Sequence, residues 1–139
     1  MRPMIEGDEE FKIKTLEALI VITYKSEEKF DTVLKYIGII RQSHQNGMNG
    51  LIENSNPPVL TVEKSVYSSQ KEWYASIIVH GSYQSKLYHD YLETIQTNFA
   101  PFDYSKEKAE PACIDYQIAF LEEINAEQQL IDYAKSKKR

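Results

Sequence analysis

In its 139 residues the chain has a single cysteine, a single tryptophan and no uninterrupted apolar run of membrane-spanning length. One thiol excludes an intramolecular disulfide and any Cys-rich zinc site. Cys113 lies in an apolar run, where it reads as a small packing residue and not as a nucleophile. The opening "MRPMIEGDEEF" lacks the apolar centre of a secretory leader. No segment approaches the roughly 20 apolar residues of a spanning helix. The expectation is a cytoplasmic protein with no membrane partner. Basic charge is also scarce: 16 Lys and Arg against 21 Asp and Glu leave a net charge of −5. That balance is poor for neutralising phosphates, so no nucleic-acid partner is expected. The basic run Lys135–Arg139 reads as a helix end whose cations complement the helix dipole. Neither GxGxxG nor GxxxxGK[ST] occurs, and no nucleophile-elbow pattern frames Ser82 or Ser85. No catalytic residue, metal ligand set or cofactor is expected on these grounds.

What is present is an ordinary globular composition, 42% hydrophobic and 27% charged, in one domain's length of chain. Ten tyrosines stand against five phenylalanines. Tyrosine joins an apolar ring to a hydroxyl that needs a partner when buried, which suits pockets, half-covered sheets and interfaces.

The pattern divides the chain into a flexible N-terminus (1–10), a sheet domain (11–120) and a C-terminal helix with a basic tail (121–139). Phe11 to Tyr24 is rich in Ile, Val and Thr and reads as a strand apolar on both faces. Ser26 offers an N-cap. Phe30, Val33, Leu34 and Ile37 then follow at helical spacing toward a stop at Asn46-Gly47. Val59 to Val66 and Trp73 to His80 read as two further strands, the second broken by Gly81. A helix through Leu87, Tyr91, Ile95 and Phe99 ends at Pro101, before a polar loop "FDYSKEKAEP". Cys113 to Phe120 alternates as a last strand. The order β-α-β-β-α-β predicts an α+β domain: a ferredoxin-like antiparallel sheet with two helices on one face, plus the terminal helix. The other sheet face would then need a cover, whether the terminal helix, a second copy or a ligand.

Several residues are candidates for chemistry. His80, His89 and Asp90 are close in sequence, but His89 and Asp90 diverge around a helix and make a poor metal pair. An acid-base pair of His80 with Asp90 or Asp115 is the enzymatic alternative. Gly81 before a helix start resembles a phosphate-binding turn only weakly, having no glycine partners. Asp115 is a carboxylate inside a strand, either solvated at an edge or facing a pocket where it would attract cationic, apolar ligands.

The segment Trp73 to Tyr116 resembles the second half of GyrI-like, effector-binding small-molecule domains. The matching features are "YASIIVHGSY" with Gly81 and Tyr83, a following helix, and "CIDYQ" with Asp115 and Tyr116. His80 abuts Gly81, and Asp115 abuts Tyr116, where the family keeps one residue between each pair. The resemblance implies two strand-helix-strand-strand units around a cleft and a non-enzymatic sensor or sequestering role. The ligand would be small, lipophilic or cationic, against Tyr83, Asp115 and Tyr116 with Trp73 or Tyr74 as an aromatic wall. The alternative is a protein-interaction module (an adaptor, an inhibitor or a phage or mobile-element protein) that docks a homodimer copy or another protein through an open sheet face or the C-terminal helix.

Overall fold

The computed structural model describes residues 2–47, 49–96 and 106–138. Its first helix starts from a side-chain cap. Asp8 Oδ1 accepts the Phe11 N–H at 2.9 Å, and Glu9 and Glu10 occupy the first turn, where the helix dipole favours acids. That bond and one from Gln42 hold the Asp8 carboxyl below its ordinary pKa. The cap's contribution is therefore complete above the unfolded carboxyl's pKa and is lost as pH falls through the lowered value.

Helix α1 (Glu9–Lys25) buries Phe11, Thr15, Ala18, Leu19 and Ile22, a repeat of three and four residues. The strand expected over Phe11 to Tyr24 is thus a helix. Its β-branched residues favour extended backbone only weakly, and the cap with the helical stripe overrides them. Ile20 and Tyr24, which a doubly covered strand would bury, are 53% and 82% exposed. Ser26 does cap α2 (Glu27–Tyr36), accepting the Lys29 N–H at 3.4 Å. This helix stops well before Asn46-Gly47, because the next residues join a sheet. Gly38 donates to Pro58 O and accepts from Met4 N, both at 2.9 Å.

The sheet contains β1 (Met4–Glu6), β2 (Ile39–Gln42), β3 (Asn49–Glu53) and β4 (Val59–Val62), in the order β1-β2-β4-β3. β1, β2 and β4 run parallel, and only β3 pairs antiparallel, with β4. The fold is α+β, but the sheet is mostly parallel and not the antiparallel β-α-β-β-α-β sheet expected. Helices α1 and α2 supply the crossover that the parallel β1–β2 pair requires. Ile40, Leu60 and Ile52 lie in register across three strands, and all three are buried. The strand expected from Val59 is present but ends at Val62, where Lys64–Tyr67 form the short α3.

Helix α4 (Lys71–Gln96) is continuous through Gly81. It absorbs both the strand expected at Trp73 to His80 and the helix expected after it. Its buried Tyr74, Ala75, Ile78, Val79, Ser82 and Ser85 follow a helical repeat, with two small serines that the strand pattern does not register. Gly81 breaks nothing. A Cβ there would sit 2.8 Å from Leu60 Cδ1, so the glycine lets α4 lie close against β4. Phe99, Pro101 and the start of the expected polar loop fall outside the described residues. The rest of that loop and the strand expected at Cys113 to Phe120 form α5 (Lys106–Glu123). Around this helix Cys113, Gln117 and Phe120 are buried, while Asp115 and Ala119 are exposed.

α5 ends in a Schellman turn. The Ala126 N–H reaches Leu121 O at 3.0 Å, the Asn125 N–H reaches Glu122 O at 3.1 Å, and Asn125 takes a left-handed φ of 56°. The terminal helix α6 (Gln128–Ser136) then folds back along α5. The main core joins α1, α2 and α4 to the sheet. A second, smaller cluster of Ile114, Ile118, Leu121, Ile131 and Ala134 binds α5 to α6, with Trp73 packed against it.

Candidate functional site

The segments that carry the resemblance, "YASIIVHGSY" and "CIDYQ", lie inside α4 and α5 and form no strand-to-helix turn. Their side chains go to different places. Trp73 lines a cavity of about 630 Å³. Tyr74 is buried facing α1, its hydroxyl 2.7 Å from Thr15 Oγ1, and burial raises its pKa. Tyr83 and Tyr116 stack on each other with ring centroids 4.2 Å apart and planes 13° from parallel. Lys29 Nζ sits 5.1 Å from the Tyr116 ring centre and 2.9 Å from Glu123. Asp115 is exposed and pairs with Lys138 at 2.7 Å. The five expected ligand residues therefore do not meet in one cleft. His80 also meets neither Asp90 nor Asp115: Asp90 pairs with Lys86 at 2.7 Å, and His89 Nδ1 lies 2.7 Å from Ser85 O. Cys113 is buried, which pushes its thiol up to about 12 and keeps it protonated.

The cavity lies between α4, α5, α6 and the edge strand β3. Trp73, Ile77, Ile114 and Tyr133 supply apolar wall, and His80, Gln84 and Glu110 supply a polar one. Two glycines permit this shape. Gly50, at φ +75°, brings β3 onto α4, where a Cβ would run into Ile77. Gly81 seats α4 on Leu60.

His80 is held at both ring nitrogens. Ser76 Oγ donates to Trp73 O at 2.7 Å and accepts from Gln117 Nε2 at 2.9 Å. The other end of that amide, Gln117 Oε1, lies 2.8 Å from His80 Nδ1. Nε2 faces Glu110 Oε1, 3.1 Å away. Among the described residues no three His, Cys, Asp or Glu side chains form a metal-capable group. On this wall His80 and Glu110 form a close pair, and Gln84 adds a neutral amide.

Gln84, Glu110 and Gln117 are not among the candidate site residues of the sequence reading. The signal for them is helical spacing. Reading residues 73–96 as one helix puts His80 and Gln84 four apart on the same face, a relation that a strand ending at His80 conceals. Comparison with family models, curated proteins and solved structures gave no match to the chain. No helix among the described residues is long and apolar enough to cross a membrane.

Proposed function

We propose that this chain is a non-enzymatic binding protein whose ligand, a small molecule with an apolar body and a polar or cationic end, occupies the cavity between α4, α5, α6 and β3. The cavity itself carries the reading. Its volume suits a small ligand, its aromatic and aliphatic wall suits an apolar body, and its few polar groups are fixed. Glu63 and Glu110 against Lys137 leave the lining with one negative charge in excess, and Trp73 offers a ring face to a cation. A sensor or sequestering role fits such a site. Trp73 is the sole tryptophan, so its fluorescence reports occupancy without a label. Titration with lipophilic cations and their neutral analogues is expected to change that fluorescence saturably and to raise the melting temperature. A flat response across both sets overturns the proposal.

A second reading, a protein-interaction module, is favoured by one observation. Ile13, Ile20 and Tyr24 form an exposed row along α1, at 51%, 53% and 82% exposure. Light scattering that shows a stable dimer, lost on Ile20→Lys, would favour it.

A further inference from the structure

We propose that Asn46-Gly47 is a self-modifying site, at which Asn46 loses its side-chain amide and becomes aspartate and isoaspartate, with Glu63 as the base. The chain contains two Asn-Gly pairs, Asn46-Gly47 and Asn49-Gly50. In such a pair the glycine nitrogen can attack the asparagine side chain, because no Cβ shields that nitrogen. The fold treats the two pairs oppositely. Asn46 and Gly47 are exposed in the turn after β2, and a Cβ on Gly47 would meet nothing within 4 Å. Asn49 starts β3 in register with Val62, and Gly50 is buried against Ile77. The first pair has room for its reacting atoms to meet, and the second is held in the sheet.

Glu63 is the independent observation. Its Oε2 accepts the Gly47 N–H at 2.6 Å, and Ser65 Oγ donates to its Oε1 at 2.7 Å. Glu63 stands at the cap of α3 yet makes no side-chain capping bond there, so its carboxylate serves the loop and not the helix. A base within hydrogen-bond reach of the proton it takes meets the geometric requirement of general-base catalysis. Gly47 N forms a bond to Asn46 Cγ as its proton passes to Glu63 Oε2. The bond from Cγ to the amide nitrogen then breaks, and that nitrogen takes the proton from Glu63 and leaves as ammonia. Solvent water opens the resulting cyclic imide at either carbonyl, giving aspartate or isoaspartate, with no oxidant or cofactor. Both products put a carboxylate beside Gly47, a lining residue of the cavity, and isoaspartate lengthens the main chain between β2 and β3. The inference holds whatever ligand fills the cavity.

Incubation of the purified chain at neutral pH, followed by peptide mapping with mass spectrometry, reads both pairs in one sample. Enzymatic methyl labelling counts the isoaspartate. In the folded chain Asn46 is expected to convert on the order of 10-fold faster than Asn49. That is below the ~100-fold or more of a well-matched base, because a carboxylate is a weak base toward an amide N–H. Asn46 should also react faster folded than in urea, since only the fold supplies the base, while Asn49 should react more slowly folded. Glu63→Gln keeps an acceptor for the Gly47 N–H and removes the basic charge, so it should slow Asn46 severalfold and leave Asn49 unchanged. Equal rates at the two pairs in the folded chain overturn the inference, as does an unchanged Asn46 rate in a folded Glu63→Gln chain. If Glu63→Gln does not fold, the unaltered chain decides alone: an Asn46 that converts faster folded than in urea supports the inference, and an equal or slower rate overturns it.

Discussion

Helices α4 and α5 meet along two rows that use their side chains in opposite ways. In one row, His80, Ser76, Gln117 and Glu110 form a hydrogen-bonded line along the wall of an open cavity. In the other, Tyr83 and Tyr116 close ring on ring, with Lys29 against the Tyr116 face and tied to Glu123. Stacked rings of this kind contribute about 0.5–1.5 kcal/mol beyond the area they bury, and leave no room between them. The polar row leaves space beside it. Tyr83 and Tyr116 here serve packing, while two glutamines, one histidine and the Tyr133 ring shape the site.

The sharpest way to break this contrast is Gly81→Glu, which forces a carboxylate against buried Leu60 where α4 touches β4. A loss of about 3 kcal/mol or more in urea-unfolding stability is expected. An unchanged midpoint would show that the close approach is not what requires glycine. Tyr116→Ala comes next. Removing the stack and its packing should cost about 2 kcal/mol while Trp73 still reports ligand normally. If ligand response vanished in a folded Tyr116→Ala chain, the two rows would be a single site. The smallest effect belongs to Asp115→Asn. An exposed pair with Lys138 contributes no more than about 0.5 kcal/mol, and the substitution should leave ligand response intact. Loss of response here would return the site to Asp115.

Some of this was legible in the chain. Ser26 marks the start of α2 and Val59 the start of β4, because a cap and a proline boundary act locally. Trp73 is the one expected site residue on the cavity wall. The parts that were not legible share a cause. In α1, α4 and α5, runs such as "LIVITY" and "SIIVH" satisfy a two-residue alternation and a three-to-four-residue repeat at once. The tie is broken by features that weigh little on paper: the Asp8 cap, buried Ser82 and Ser85, and a glycine used for contact in mid-helix. Once α4 is read as a strand, the His80–Gln84 relation disappears. Glu110 then falls into an assumed loop, and Asp115 appears to point into a pocket.

The turn at Asn125 also governs the size of the cavity. Tyr133, Ala134 and Lys137 reach the cavity only because α6 doubles back on α5, and that reversal passes through one left-handed backbone angle. A β-branched residue there would re-aim an entire wall without touching any ligand. The shape of the cavity is therefore adjustable at a distance, by the angle of one turn as much as by the side chains that line it.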